Sequence, residues 1–336
     1  MIDTARDSKI GSASVRQPPL LSPSASLNLC KSSCFDTGFA WLKIGAPPWH
    51  LPVFQSLPVY WDPKPEAFTI PGLHLPILWY GVLFALGFAL SFPIFIPLLT
   101  RFFLAYHQSK DVLKWRKVAT TTADRLTLYI VLATVIGARL GHFLFYESPS
   151  RYLSHPMEIL QIREGGLASH GAVIAIILAL VWFARRYKIE GLDWLKLLDL
   201  IAVPAALVGC CIRLGNFINQ EVLGTPSTLP WAVLFGHPAD GQVEYVPRHP
   251  VQIYEALFYL GVFFVLWRLS HRLFFLLQRG KLVGLFLILI FGFRFCIEFF
   301  KVEQSHIYAS HWMTMGQLLS IPVFLLGIVF FFWEKR

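Results

Sequence analysis

The sequence predicts an all-α integral membrane protein with seven transmembrane helices, its N-terminus outside and its C-terminus in the cytoplasm. Three observations predict this. Of the 336 residues, 55% are hydrophobic and only 15% charged, against roughly 25% charged in a soluble chain. The apolar residues gather in seven runs, each near the roughly 20 residues that a helix needs to cross a bilayer. Basic residues crowd every second connecting loop, as the positive-inside rule demands.

Residues 1–60 precede the runs. They are polar and irregular, rich in Ser, Pro and Leu, and are expected to form a disordered extension. No apolar h-region follows the early charges, so the segment does not read as a secretory signal. Residues 61–336 then make the membrane domain. Its first span, 77–99, carries no charge, and the second, 126–146, is interrupted by Arg139. The third, 167–183, follows Gly165-Gly166 and opens Leu167-Ala168-Ser169-His170-Gly171-Ala172. Such small residues let another helix or a ligand approach the backbone closely. The fourth, 197–216, contains Arg213, and the fifth, 251–269, starts just after His249-Pro250, with proline where a first helical turn tolerates it. The sixth, 282–300, holds Arg294 and Glu298, and the seventh is 315–333.

Orientation follows from the loops. Arg101, Lys110, Lys114, Arg116, Lys117 and Arg125 lie between spans one and two, and Arg185, Arg186, Lys188 and Lys196 between three and four. Arg268, Arg272, Arg279 and Lys281 lie between five and six, and Lys335-Arg336 end the chain. The other loops hold Arg151, Arg163, Arg248 and Lys301, so sixteen basic residues face four. The richer side is cytoplasmic. Trp79, Trp231 and Trp312 then fall at outer span ends, and Trp182, Trp194, Trp267 and Trp333 at inner ends, as aromatic belts do. The net charge of +9 is spent on topology, and no nucleic-acid partner is expected.

A charge at membrane depth costs several kcal/mol, so it is rare and usually functional. Arg139, Arg213 and Arg294 lie 14, 17 and 13 residues beyond the last cytoplasmic charge of their loops. At 1.5 Å per residue they sit roughly 20 to 25 Å up a 30 Å core. His170 is near the outer start of span three, so four segments bring polar groups to one depth in the outer half. Arg213 and Asn216 share a helix face, with Asn219, Gln220 and Glu221 at the mouth. A guanidinium fork flanked by amides suits a phosphate, although an arginine near a helix end also snorkels to the interface. Arg294 and Glu298, four apart, either form an intrahelical ion pair or leave Arg294 for a ligand. Histidine's ordinary pKa near 6.5 makes His170 a proton acceptor in such a cavity, or else a packing residue. Gln252 and Glu255 share a face at the start of span five, where an acid also complements the helix dipole. Arg139-Leu140-Gly141-His142-Phe143 echoes Arg213-Leu214-Gly215-Asn216-Phe217.

Cys210, Cys211 and Cys296 lie in apolar segments, and Cys30 and Cys34 lie in the N-terminal tail without partner histidines. No metal site or disulfide framework follows. There is no Gly-x-Ser-x-Gly elbow, P-loop, His-Glu-x-x-His or zinc-type spacing. Neither a metal nor a cofactor is expected.

The chain resembles bacterial prolipoprotein diacylglyceryl transferases, whose signature reads Gly-Arg-x-Gly/Ala-Asn-Phe-x-Asn-x-Glu-x-x-Gly. Arg213 through Gly224 match every fixed position, with Ile212 in place of the leading glycine. Trp79-Tyr80-Gly81, Gly137-Ala138-Arg139-Leu140-Gly141, the string ending at Gly171, and His249-Pro250…Gln252…Tyr254-Glu255 join it. So do Phe293-Arg294…Glu298-Phe299-Phe300 and Met315-Gly316-Gln317. The resemblance runs from about residue 60 to the end. Ala172 replaces a glycine, and Ile290 replaces a tyrosine, that relatives often carry.

The resemblance implies a catalytic membrane domain in the bacterial cytoplasmic (inner) membrane. Its partners would be phosphatidylglycerol, other membrane lipid, and the signal peptide of an exported prolipoprotein with its lipobox cysteine. The diacylglyceryl group would move to that cysteine thiol, the first step of lipoprotein maturation, with release of glycerol phosphate. His170, Arg213, Arg294 and Tyr80 are the catalytic candidates. Asn216, Asn219, Glu221, Gly224, Arg139, His249, Gln252, Glu255 and Glu298, with Arg213, are the substrate-binding ones. Two competing readings remain: an organic-anion or lipid transporter, which needs polar groups through the inner halves of the helices, and a non-catalytic lipid-binding or sorting protein.

Overall fold

The computed structural model describes residues 58–70, 75–147, 168–241, 246–302 and 313–333. Among them, seven helices are long and apolar enough to cross a membrane. They are α1 (Trp79–Tyr106), α2 (Val112–Tyr146), α3 (Ser169–Tyr187), α4 (Trp194–Ile218), α5 (Val251–Ser270), and, after the short α6 (Leu273–Leu277), α7 (Lys281–Ile297) and α8 (Met315–Phe332). The seven expected spans are all present. Their side chains expose Leu132, Val135, Ile136, Ile174, Leu178, Leu325 and Val329, an apolar surface suited to lipid rather than water.

Two helices run well past their expected spans. α1 continues to Tyr106, and α2 starts at Val112, where the Asp111 carboxylate accepts the Lys114 N–H at 3.0 Å. Only residues 107–111 connect them. Lys114, Arg116, Lys117 and Arg125 therefore ride on a helix rather than in a loop. Hydropathy detects the part of a helix that lies in hydrocarbon and is blind to its charged continuation in water.

Four short strands add to the helices. β1 (Val59–Trp61) pairs in parallel with β4 (Val233–Phe235), Tyr60 opposite Leu234. β2 (Glu66–Ile70) and β3 (Leu75–Leu78) form an antiparallel hairpin leading into α1. Strands of three to five residues are too short for their period of two to register in sequence. Val59 and Tyr60, at the expected boundary near residue 60, pair with β4. The remainder of the expected N-terminal extension lies outside the described residues, as do Gly165, Gly166, Leu167, Arg151, Arg163, Trp312, Lys335 and Arg336.

α4 is the central helix, touching α1, α5 and α7. The apolar core gathers at one end of the bundle. There Leu98, Leu99, Phe102 and Phe103 of α1 meet Leu197, Leu200 and Val203 of α4, with Leu180, Phe183, Leu266 and Leu282 around them. That core surrounds an ionic lock. Asp199 of α4, fully buried, accepts the backbone N–H of Gly280 (2.7 Å) and of Val283 (2.9 Å) at the start of α7. α7 has no side-chain cap of its own, so a carboxylate from another helix satisfies its first-turn donors. Lys196 neutralises Asp199 at 3.1 Å and donates to the Gln278 carbonyl at 2.6 Å. Lys281 donates to the Phe331 carbonyl at the end of α8. The lock fixes α7 and α8 against α4 along the bundle axis.

α2 and α3 cross through glycine. A Cβ on Gly137, Gly141 or Gly171 would strike the backbone of the facing helix, and at Gly137 the Ala175 side chain as well. Only residues without side-chain bulk let the two helices touch there.

Candidate active site

The end of the bundle opposite the apolar core collects the starts of α1, α3, α5 and α8 and the ends of α2, α4 and α7. Contacts bind these ends together. Tyr80, second residue of α1, lies on Gly215 of α4, where any Cβ would strike its ring. Arg213 of α4 faces Glu255 of α5. Glu298, just past α7, lies on Gly316 of α8.

Arg213 is the centre of a buried network. Its Nη1 donates to Asn216 Oδ1 at 3.1 Å, and its Nε lies 3.2 Å from Glu255 Oε2. Asn216 Nδ2 and Asn219 Nδ2 donate to the two carboxylate oxygens of Glu221, each at 3.1 Å. Gln252 Nε2 donates to the Glu221 carbonyl at 2.7 Å. Glu255 is 0% exposed, and Lys301 supplies its second cation, Nζ to Oε1 at 2.9 Å. Lys301 also lies 3.6 Å from Glu298 Oε2. Burial draws the Lys301 ammonium below the ordinary lysine pKa, and the Glu255 charge opposes that shift.

Many groups here have unused hydrogen-bonding capacity. Among the described residues, eight buried side-chain polar atoms have no hydrogen bond. Six are near this cluster: Arg213 Nε and Glu255 Oε2, which face each other as an ion pair, Glu298 Oε2, which lies 3.6 Å from Lys301, and Asn219 Oδ1, Gln252 Oε1 and Gln317 Nε2, which have no charged partner. Buried polar groups are normally paired, and a concentration of exceptions marks a place built to meet something polar.

Arg294 is half-buried on α7 and makes no ion pair among the described residues. Of the two readings left open for Arg294 and Glu298, the intrahelical ion pair is not formed. α7 ends at Ile297, and Glu298–Phe300 tighten into a 3₁₀ turn. Glu298 then pairs with Lys301 instead. Arg294 keeps its donors, and Tyr259 lies within electrostatic reach of both Arg294 and Arg213. The Arg213 guanidinium carbon is 5.9 Å from the Tyr259 ring centre. Phe258 of α5 and Phe293 of α7 stack at 3.9 Å beside them.

Arg139 and His170 belong to the α2–α3 pair. Arg139 is buried with its guanidinium 4.8 Å from the Phe143 ring centre. His170, in the first turn of α3, is exposed and meets Phe145 of α2 edge-on at 5.8 Å. His249 meets Phe300 edge-on at 5.2 Å and faces the Tyr254 hydroxyl at 3.5 Å. Gly224 leaves room for the His249 backbone and pairs with Lys301 in a β-bridge.

The loop after α4 is strained. Gln220 and Val222 flank Glu221 with φ of +54° and +57°, and a β-branched residue rarely adopts that conformation. A cap holds the loop. Gln220 Nε2 donates to Asp62 Oδ1 at 3.1 Å, and His237 Nδ1 lies 2.7 Å from the same oxygen. Trp61 Nε1 donates to the Phe217 carbonyl and its ring stacks on Phe217 at 4.6 Å. The His237 hydrogen bond, with that of Gln220, holds Asp62 below the usual carboxylate pKa.

Sequence reasoning missed Lys301 and Tyr259 as members of this cluster. Lys301 read as an outer loop charge, yet its side chain is 6% exposed. Tyr259 carried a signal in its spacing, four residues after Glu255 on one helix face.

A family model described as prolipoprotein diacylglyceryl transferase matches residues 65–333. Curated relatives named phosphatidylglycerol–prolipoprotein diacylglyceryl transferase align over nearly the same region. The relative from Protochlamydia amoebophila is 35% identical over 361 residues, covering 83% of this chain and 95% of the relative. That from Tolumonas auensis is 40% identical over 271 residues, covering 81% and 95%. That from Chlamydia pneumoniae is 40% identical over 276 residues, covering 80% and 93%. Matched along most of its length, and with the signature residues gathered at one end of a seven-helix bundle, the chain belongs to the prolipoprotein diacylglyceryl transferase family.

Proposed function

We propose that this chain moves the diacylglyceryl group of phosphatidylglycerol onto the lipobox cysteine thiol of exported prolipoproteins, the first step of lipoprotein maturation. Family membership makes it a transferase. The observation that carries the reading is the buried Arg213–Glu255–Lys301 ion-pair network, which leaves guanidinium donors of Arg213 unused, at the bundle end where Arg294 keeps its donors.

The chemistry asks for such a site. The thiolate sulfur attacks the glycerol carbon that bears the phosphate ester. The carbon–sulfur bond forms as the carbon–oxygen bond breaks, and the electron pair leaves on oxygen. The products are a thioether and glycerol phosphate, and the thiol proton passes to a base, for which His170 is our candidate. The phosphate gains a negative charge during this step. Guanidinium groups fixed beside it therefore bind the transition state more tightly than the substrate. Glu255 and Asn216 hold Arg213 at Nε and Nη1, so it needs little reorganisation, and its remaining N–H groups are available to the phosphate. Arg294 approaches from α7 as the second clamp. Asn219, Glu221 and Tyr80 are the groups for the headgroup hydroxyls, with Gln252 and His249 beside them, and Arg139 and Glu298 at the margins. The basic residues at the opposite end support a site in the outer half of a cytoplasmic membrane, where both amphiphilic substrates present their polar parts. The apolar core filling that opposite end argues against a transport path.

The test incubates purified protein with phosphatidylglycerol and a lipobox peptide and weighs the peptide. A gain of one diacylglyceryl group is expected. An unmodified peptide, beside an active relative run in parallel, would overturn the reading.

A further inference from the structure

A concave site lies at the far end of the bundle from Arg213, where the end of α3 meets the start of α4. It is a cavity of about 480 Å³, within the range of small-ligand pockets. Val181, Ala184 and Leu192 give it an apolar floor, and Trp194, the first residue of α4, stands in its wall. Arg185, Lys188 and Arg279 supply three cations. Asp193 is the one acidic lining residue. Its Oδ2 pairs with Arg279 at 3.0 Å, while its Oδ1 caps α4 through the Lys196 N–H at 2.8 Å. Among the described residues, Arg185 and Lys188 form no ion pair. Nothing in the transfer chemistry uses these residues.

We infer that this cavity is a binding site for an anionic phospholipid, whose phosphate meets Arg185, Lys188 and Arg279 while its glycerol backbone and upper acyl chain lie on Val181, Ala184 and Leu192. Charge complementarity selects the occupant. A basic pocket between membrane helices with an apolar floor fits an anionic headgroup with its chains still attached, and Trp194 is the residue type that sits at headgroup level. A lipid there would bridge α3 and α4, two helices that touch only lightly. The site stands apart from the proposed reaction. With the bundle oriented as proposed, it belongs to the cytoplasmic leaflet.

The experiment places the full chain in phosphatidylcholine nanodiscs containing a minor fraction of cardiolipin and counts retained lipid by native mass spectrometry. The parent retains cardiolipin in preference to phosphatidylcholine. The triple variant Arg185→Gln/Lys188→Gln/Arg279→Gln loses that preference by roughly 100-fold for three charges. Val181→Trp keeps every charge and fills the floor, and it also loses retention. Arg213→Gln, altered at the other end, retains cardiolipin as the parent does. Parent-like retention by Val181→Trp would leave only diffuse surface attraction and overturn the site. Loss of retention in Arg213→Gln would move the lipid to the transfer site and overturn it equally. Displacement by an equal concentration of inorganic phosphate would reduce it to a bare anion site. Peptide transfer activity is read separately, so failure here leaves the proposed reaction standing.

Discussion

At the scale of single residues, Arg213 combines charge with shape. Its Nε faces Glu255 while its Nη1 bonds Asn216, and a lysine ammonium cannot satisfy both directions at once. Arg213→Lys is expected to lower diacylglyceryl transfer about 10²- to 10³-fold at unchanged protein level. Peptide mass gain over time measures it, and near-parental rates would sink the clamp assignment. Lys301 has a different task. Removing it as Lys301→Met leaves Glu255 buried with one cation, and a broken buried pair costs about 3 kcal/mol or more. A lower melting temperature in detergent, rescued by Lys301→Arg, is the expected result. Asp62 reports on the cap. Its folded pKa lies below the unfolded one because His237 and Gln220 bond the carboxylate, so its stabilisation is present above about pH 4 and is lost as pH falls through the folded value. The melting-temperature gap between parent and Asp62→Asn should therefore be widest near neutral pH and close on acidification. A gap independent of pH would show that the His237 contact contributes nothing.

At the scale of elements, α7 begins on a carboxylate from α4 and carries Arg294 in its last turn. Asp199 serves as the missing cap, and Lys196 keeps that carboxylate neutralised in an apolar core. Asp199→Asn strands the buried ammonium and is expected to cost about 3 to 5 kcal/mol. Adding Lys196→Met removes the stranded charge and should restore most of that loss, leaving about 1 kcal/mol for the weakened cap. A double-mutant cycle on thermal unfolding measures the coupling, and strict additivity would contradict the lock. The lock was not legible in sequence. Lys196 read as a loop charge and Asp199 drew no attention, because the cap joins residues about eighty positions apart. The glycines on α2 and α3 carried their message more openly, since small residues in an apolar span have few purposes other than close approach.

At the scale of the whole molecule, polar chemistry and apolar packing occupy opposite ends of one bundle. Groups from α4, α5 and the turn after α7 meet around Arg213 and Glu255, and the largest core side chains fill the other end. By the positive-inside rule the basic residues predict that filled end on the cytoplasmic side. A single cysteine at Gln108, exposed between α1 and α2, should therefore resist impermeant thiol reagents in intact cells. One at Thr228, exposed in the segment after α4, should react, on a background lacking Cys30, Cys34 and the exposed Cys296. The reverse labelling pattern would invert the topology.

The sequence by itself determined the seven spans and the family, because hydropathy and a long motif are local properties of the chain. It could not determine that Lys301 lies beside Glu255, that Glu298 turns from Arg294 to Lys301, or that Asp199 caps α7. Those pairings depend on where one helix stops and how deeply another is set. Only packing decides that, because a buried charge takes whichever partner the fold brings within about 4 Å.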